Sequence, residues 1–381
     1  MSDRSQFSPS RRDFVVRTGL GLAAWGAATR LGTSTVLAAD ENPPSKKLGF
    51  AFVGIGSLCM NQLLPGIMKS KYCKPVALVS GHPDKAKAQA QKYNIDPKKI
   101  YNYDNYDSIK DNPEIDVVYI VLPNSMHAEY TVRAAKAGKH VLCEKPMANS
   151  VKECQEMIDA CKAAGKRLQI GYRLHFEPNT LAAIDVVKKK QIGDLQIIEN
   201  GAGFVIGDPK QWRLNKKLAG GGCLMDIGIY ALNAARYLSG EEPIEISAQT
   251  YQDTKNEHFK EVEQHCNFQL RFPSGVLASC ISSYNTGLNR FVAHGTRGWA
   301  DLDPGLSYTG VKCHVSGRGQ PRAIDVPMPE NFDQFGTEMD AFAMAIANNT
   351  PSKASGEEGL QDLKCIEAIY ESARTGKVVK M

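Results

Sequence analysis

The sequence predicts an α/β protein in two parts: a parallel, doubly wound sheet first, then an α/β domain with a large open, mostly antiparallel sheet. Three observations carry this. From Leu48 to Ile170, short apolar runs alternate with helical patterns, the order that gives parallel strands with helices on both faces. One of these runs, from Ile115 to Leu122, is almost wholly apolar, as in a strand covered on both sides. Further on, apolar and polar residues alternate, as in Cys266-Asn-Phe-Gln-Leu-Arg-Phe272, the pattern of a half-exposed antiparallel strand.

The first unit runs from Leu48 to Leu64. The apolar run Phe50 to Val53 ends in Gly54-Ile-Gly56, and a helical pattern with Leu58, Leu63 and Ile67 follows. A strand that turns through two glycines into a helix is how a dinucleotide-binding Rossmann domain begins. Gly54 permits the tight turn, Gly56 lets the backbone approach a pyrophosphate, and the helix N-terminus offers N–H groups to its phosphates. The third position of the pattern is Cys59 rather than glycine, so a plain strand ending in a glycine turn stays open at this point.

The next strand, Pro75 to Val79, ends at Ser80-Gly81-His82-Pro83. A carboxylate in this place would hold a ribose 2′-hydroxyl. Serine there, with Lys85 just beyond, favours a 2′-phosphate and hence NADP; the alternative is Lys85 on a solvated helix face. Asp84 to Tyr93 is helical, and Ile100-Tyr101 and the segment around Tyr106 lead on to the apolar run, which stops at Pro123-Asn124-Ser125. A helix from His127 to Ala137, a strand Gly138 to Cys143 ending in Glu144-Lys145-Pro146, a helix Val151 to Ala164 and a strand Arg167 to Ile170 close this half. Gly54, Gly56, Ser80, Asn124 and Lys145 all fall at carboxyl ends of strands, where such sheets bind ligands.

In the second half, Leu195 to Phe204, Ile244 to Tyr251, Val262 to Phe272, Val276 to Tyr284, Arg290 to His294 and Tyr308 to Val315 read as strands. A helix from Gly222 to Leu238 interrupts them, and a last helix spans about Glu357 to Arg374. The expected division is a signal over 1–39, a linker over 40–47, the Rossmann domain over 48–170 and a substrate-binding and oligomerisation domain over 171–381.

Residues 1–39 read as a twin-arginine export signal. Ser10-Arg11-Arg12-Asp13-Phe14-Val15-Val16 precedes a segment rich in Gly, Ala and Leu, and Val36-Leu37-Ala38-Ala39 offers a small-residue cleavage site. The expected destination is the periplasm. Of the net charge of +5, this segment carries +3, from five arginines against Asp3 and Asp13. The small remainder asks for neither nucleic acid nor a membrane surface once the signal is removed. The ten cysteines include no Cys-x-x-Cys pair and the eight histidines no metal spacing, so no metal site is expected.

The chemistry centres on Lys145, Asp226 and Tyr230. Asp226 and Tyr230 lie four apart on one helix, so both project from one face. Lys145 follows a strand that ends where a nicotinamide would sit. An ammonium beside a phenol favours the phenolate, which can remove a proton from a substrate hydroxyl. The plain alternatives are a surface lysine before a proline, a helix-start aspartate and a half-buried aromatic.

From Leu48 onward the chain resembles the glucose–fructose oxidoreductase, inositol dehydrogenase and related sugar dehydrogenase family. The segments that carry this are Gly138-Lys-His-Val-Leu-Cys-Glu-Lys-Pro146, Ala219-Gly-Gly-Gly-Cys-Leu-Met-Asp-Ile-Gly-Ile-Tyr230, Leu122-Pro-Asn-Ser-Met-His127 and Gln211-Trp-Arg213. Among its members, the chain is most similar to the periplasmic glucose–fructose and aldose-oxidising ones. The resemblance implies Lys145, Asp226 and Tyr230 as catalytic residues. It implies NADP held along Gly54, Gly56, Ser57, Leu58, Ser80, Gly81 and Lys85, with Leu122, Asn124, His127, Glu144, Lys145, Tyr172, Trp212 and Arg213 further along. Candidate sugar contacts are Lys145, Arg173, His175, Asp208, Asp226, Tyr230 and Tyr308.

The implied reaction is a ping-pong exchange in which a cyclic aldose becomes its lactone and a second sugar, aldose or ketose, becomes an alditol. NADP stays bound, which suits export, since free nucleotide is scarce outside the cytosol. Only about nine residues separate the signal from the first strand, so a dimer through the open sheet is expected rather than an arm-linked tetramer. Three other readings stay open on the sequence: a dehydrogenase that releases NAD(P)H each turnover, an NAD-dependent glycosidase, and a non-catalytic sugar sensor.

Overall fold

The computed structural model describes residues 42–317 and 322–381; the twin-arginine segment lies outside the described residues. Six parallel strands form the first sheet: β1 Leu48–Val53, β2 Cys73–Val79, β3 Ile100–Tyr101, β4 Val117–Ile120, β5 His140–Glu144 and β6 Leu168–Gly171. Their order is β3-β2-β1-β4-β5-β6, so the chain reverses direction across the sheet between β1 and β4. That reversal opens a crevice at the carboxyl ends of the strands.

Strand alternation sorts the apolar residues between two cores. Phe50, Phe52, Val117, Tyr119 and Leu142 face one side; Ala51, Val53, Val118, Ile120, Val141 and Cys143 face the other. Right-handed crossovers explain what covers each side. The helical segments after β1 and β2 lie on the first face, while the helices His127–Lys136 and Val151–Ala163 lie on the second. The first face over β4 and β5 therefore has no helix of its own. It is covered by the helix Gln334–Ala347, whose Phe335, Met339, Phe342 and Ala343 are buried there. Nothing in the sequence reading anticipated this helix.

Nine strands form the second sheet: β7 Leu195–Val205, β8 Glu245–Tyr251, β9 His265–Arg271, β10 Leu277–Ser283, β11 Asn285–Gly295, β12 Gly298–Leu302, β13 Cys313–Ser316, β14 Arg322–Ala323 and β15 Val379–Lys380. The order is β14-β13-β12-β11-β7-β10-β9-β8-β15, antiparallel except where β7 meets β10. The helix Ile229–Ser239 and the helix Gly356–Thr375 cover one face. The other face carries Ile197, Leu277 and Ile281, each more than two-fifths exposed.

Several element limits differ from expectation. The expected strand from Tyr308 begins only at Cys313, because Pro304, Gly305 and Gly310 (φ +73°) hold 303–312 as a loop. The strand expected over Arg290–His294 extends back to Asn285, and β12 and the helix Pro178–Lys188 are additional.

Candidate active site

The glycine turn after β1 is dictated by crowding. Gly54 has φ +91°, and a Cβ there would lie 2.5 Å from the Val121 carbonyl oxygen at the end of β4. At Gly56 a Cβ would meet nothing within 4 Å: the backbone faces open space. That space belongs to a cleft of about 690 Å³, lined by Gly54, Gly56, Ser57 and Leu58 at one end and by Lys145, Asp226 and Tyr230 at the other. Its dimensions and glycine floor fit a dinucleotide laid along the strand ends, with the pyrophosphate at the helical turn.

Ser80 and Lys85 line the end beyond β2, together with His82 and Tyr103, which sequence reasoning had not selected. The Ser80 hydroxyl accepts from the His82 N–H (3.0 Å), which shapes the turn. Gly81 does not itself line the cleft; a Cβ there would lie 3.1 Å from the Tyr103 ring, which does.

At the other end, Lys145 leaves the tip of β5, and Asp226 and Tyr230 come from the helical stretch over Leu224–Ser239. Its first turn, Leu224–Gly228, is wide, of the π type, a form frequent at functional sites. The Glu263 carboxylate anchors this turn by accepting from the N–H groups of Gly222 (2.9 Å) and Leu224 (3.1 Å). A Cβ at Gly222 would lie 2.1 Å from the Glu263 carbonyl oxygen, so only glycine allows that approach.

Asp226 is the electrostatic hub. Its carboxylate accepts from the Lys145 Nζ (3.2 Å), the Arg213 Nε (2.9 Å) and the Tyr284 hydroxyl (3.1 Å). Burial alone would raise its pKa; Arg213, Lys145 and these hydrogen bonds outweigh it and bring the value down to about 2. For Lys145, burial opposes the charge, and Asp226, Tyr230 and Glu144 more than compensate, so its pKa is raised. The ammonium therefore stays protonated. It lies over the face of the Tyr230 ring, 4.8 Å from the centroid, while its hydrogen bonds go to Asp226. Among the described residues, the Tyr230 hydroxyl has no hydrogen-bond partner, which leaves it free for a ligand in the cleft.

Glu144 lies beneath this group. Its Oε1 accepts from the Tyr119 hydroxyl (2.8 Å), and the same hydroxyl lies 3.3 Å from the Glu338 Oε2. One phenol proton cannot serve two carboxylates, so one carboxyl must itself be protonated and donate. Burial raises both carboxyls; at Glu144 the nearby Lys145 charge opposes the rise, whereas at Glu338 the Glu144 charge adds to it and the pKa is pushed well up, so Glu338 is the more readily protonated of the two.

Residues 48–172 match the oxidoreductase family with an NAD-binding Rossmann fold, and residues 180–301 match the GFO/IDH/MocA C-terminal domain. The chain belongs to the GFO/IDH/MocA family of oxidoreductases. A D-xylose 1-dehydrogenase [NADP(+)] of Haloarcula marismortui is 31% identical over 352 residues, 90% of this chain and 94% of the relative. A 1,5-anhydro-D-fructose reductase of Ensifer adhaerens is 29% identical, covering 71% of this chain and 81% of that one. The crystal structure of aldose–aldose oxidoreductase from Caulobacter crescentus complexed with glycerol aligns with a TM-score of 0.86 at 45% identity, over 88% of this chain and all of that one.

In this family frame, the remaining candidates separate clearly. Leu122, Asn124, Glu144, Arg173, Trp212, Arg213 and Tyr308 line the cleft, as do Phe204 and Phe335, which were not foreseen. His127 does not line it. The ring is fully buried, wedged between the carbonyls of Leu122 and Pro146 (2.9 Å each), and ties the end of one wall to the next loop. Tyr172 is also interior, beside Asp362. His175 packs on Tyr237, with ring centroids 3.7 Å apart, and burial brings its pKa down to about 3, so it stays neutral. Asp208 is exposed and caps its own turn through the Lys210 N–H (2.9 Å). None of these four reaches the cleft. Conversely, Tyr284, an Asp226 partner, was overlooked, although it continues the inward parity of Ala278, Cys280 and Ser282 on β10.

Proposed function

We propose that this protein is a periplasmic NADP-dependent sugar oxidoreductase that couples oxidation of one sugar to reduction of another. The observation that carries the reading is the unpartnered Tyr230 hydroxyl, beside the Lys145–Asp226 ion pair, at the strand ends of a dinucleotide-binding sheet. When bound, the nicotinamide supplies the two-electron chemistry, taking hydride from a sugar C1 and giving it to a second sugar's carbonyl. Tyr230 accepts the proton of the C1-hydroxyl as a cyclic aldose becomes its lactone, and returns it to the forming hydroxyl of an alditol. Lys145 supplies fixed positive charge against the phenol face, and Asp226 holds that ammonium in place.

Ser80 and Lys85 at the end of β2, in place of a carboxylate, support NADP over NAD. Similarity to an NADP-dependent xylose dehydrogenase and to aldose–aldose oxidoreductase supports the same reading. The twin-arginine pattern supports export with the nucleotide already held, and the exposed apolar face of the second sheet supports a homodimer.

The test is product analysis of protein as purified, incubated with glucose, xylose, arabinose and fructose singly and in pairs. Lactone and alditol in equal amounts, without added nucleotide, are expected, with NADP released on denaturation. Turnover only with added nucleotide would replace the coupled scheme by a conventional dehydrogenase. A reporter fused behind residues 1–39 should reach the periplasm only in cells with an intact twin-arginine translocase.

A further inference from the structure

The guanidinium of Arg173 is held in an unusual setting. Arg173 is 2% exposed, yet among the described residues it has no carboxylate partner within ion-pair distance. A guanidinium has five N–H donors. Here Nη1 donates to the Ser307 carbonyl (3.3 Å) and to Gln334 Oε1, and Nη2 donates to the Leu306 carbonyl. Among the described residues the Nε–H is buried without a partner, so of the five donors only the second Nη2 hydrogen is left towards the cleft. The planar group is flanked by two aromatic rings of the cleft, with its Cζ 5.1 Å from the Tyr230 centroid and 4.7 Å from the Tyr308 centroid.

Arg173 thus joins three parts of the molecule: the stretch after β6, the loop 303–312 from the second sheet, and the helix Gln334–Ala347. The Gln334 Nε2 adds a bond to the same Ser307 carbonyl (3.0 Å), so helix and loop are pinned at one atom. Gln334 is 3% exposed and does not line the cleft. Asn289 of β11 ties the same loop to the sheet, through the N–H groups of Gly305 (3.1 Å) and Leu306 (2.7 Å) and the Ser307 hydroxyl (2.9 Å), and Tyr308 packs edge-on against Phe335; Arg173 and Gln334 add the restraint on the side that faces Tyr230.

We infer that Arg173 is a positioning residue rather than a sugar contact: it fixes the spacing between Tyr230 and the Tyr308 wall, and thereby sets which sugars enter. The inference deepens the sugar-oxidoreductase reading and rests on it for the identity of the guest. Lysine cannot reproduce a planar fork that reaches three acceptors at once. Displacement of a wall by about an ångström costs up to roughly a hundredfold in rate.

Two variants test it, Arg173→Lys and Gln334→Leu, the second at a residue that does not itself line the cleft. Each is measured for amide hydrogen exchange across 303–312, NADP affinity, and kcat and KM over pentoses and hexoses. Expected are faster exchange at 306–308 in both, unchanged NADP affinity, and sugar KM raised about tenfold, with kcat less affected and the pentose-to-hexose ratio altered. Unchanged exchange in Arg173→Lys overturns the inference. So does a loss of activity in Arg173→Lys alone, with Gln334→Leu at wild-type values, since that marks a direct sugar contact. A wild type inert towards every sugar refutes the sugar reading instead, and the exchange measurement then decides by itself whether Arg173 fixes the wall.

Discussion

Lys145 grips Asp226 twice: the ammonium donates to the carboxylate at 3.2 Å and to the backbone carbonyl of the same residue at 2.5 Å. The second bond survives any change of the Asp226 side chain, so the two effects of that side chain, charge and anchorage, can be separated. Asp226→Asn keeps the shape and removes the carboxylate that Lys145 and Arg213 share, leaving the more distant Glu144 to offset the Lys145 charge. Breaking such a pair costs about 3 kcal/mol, and kcat should fall at least tenfold while Lys145 keeps its place. The folded pKa of about 2 lies below the unfolded value of about 3.9. The ion cluster's stabilisation is therefore complete above about pH 4 and is lost as pH falls through about 2. Urea unfolding of wild type and variant should show a constant gap from pH 5 to 8 that narrows below pH 4.

Tyr230→Phe removes one hydroxyl that has no hydrogen-bond partner among the described residues. Stability should hardly change, because nothing buried is left unsatisfied. Steady-state kinetics should show kcat reduced by about 10²–10⁴-fold, with sugar KM and NADP affinity close to wild type. Wild-type kcat in this variant would remove Tyr230 from the proton transfer.

Glu338→Gln tests the buried acid beneath the floor. Its folded pKa is raised above the unfolded value, so its contribution is fully present below the unfolded pKa and is lost as pH rises through the folded one. An amide keeps a donor towards Tyr119 and removes the titration. The variant should melt at a higher temperature than wild type at pH 8, and the difference should vanish near pH 4. Equal melting curves at both pH values would contradict the protonation assigned to Glu338.

Ser80→Asp sets a carboxylate at the end of β2, where a 2′-phosphate is expected. Like charges in contact cost several kcal/mol. NADP affinity should fall by about 10²-fold and NAD affinity should hold or rise, as read by nucleotide titration of stripped protein.

Paired changes Leu277→Glu and Ile281→Lys put charge on the open face of the second sheet, where β10 lies against β7. Light scattering after size exclusion should show a dimer become a monomer without loss of the fold. An unchanged mass would place the contact elsewhere.

What the sequence revealed follows the range of its signals. The strand ends at Gly54, Ser80 and Lys145 were legible because each residue follows a local apolar run, whereas the order of the strands in the sheet was not. The Asp226–Tyr230 spacing was legible because both lie on one helix. His175 and Asp208 were misplaced for the opposite reason: residue type near a site says nothing about which way the side chain turns, and Tyr237 stacking decides it for His175. Arg173 lies at the cleft as expected, but its bonds run to Leu306, Ser307 and Gln334, far along the chain, where no local period reports them. The helix Gln334–Ala347 was missed because its apolar residues answer to a sheet formed some 200 positions earlier.

That helix has a consequence for how the molecule is made. Translation delivers β1 to β6 first, but the residues Phe335, Met339 and Phe342 that seal the slab over β4 and β5 follow more than 160 positions later. Until then the nascent nucleotide-binding half presents an apolar trough, a surface that invites aggregation or a chaperone. A chain cut short before that helix lacks the residues that close its first core, so the nucleotide-binding half is sealed only after the second sheet has been made.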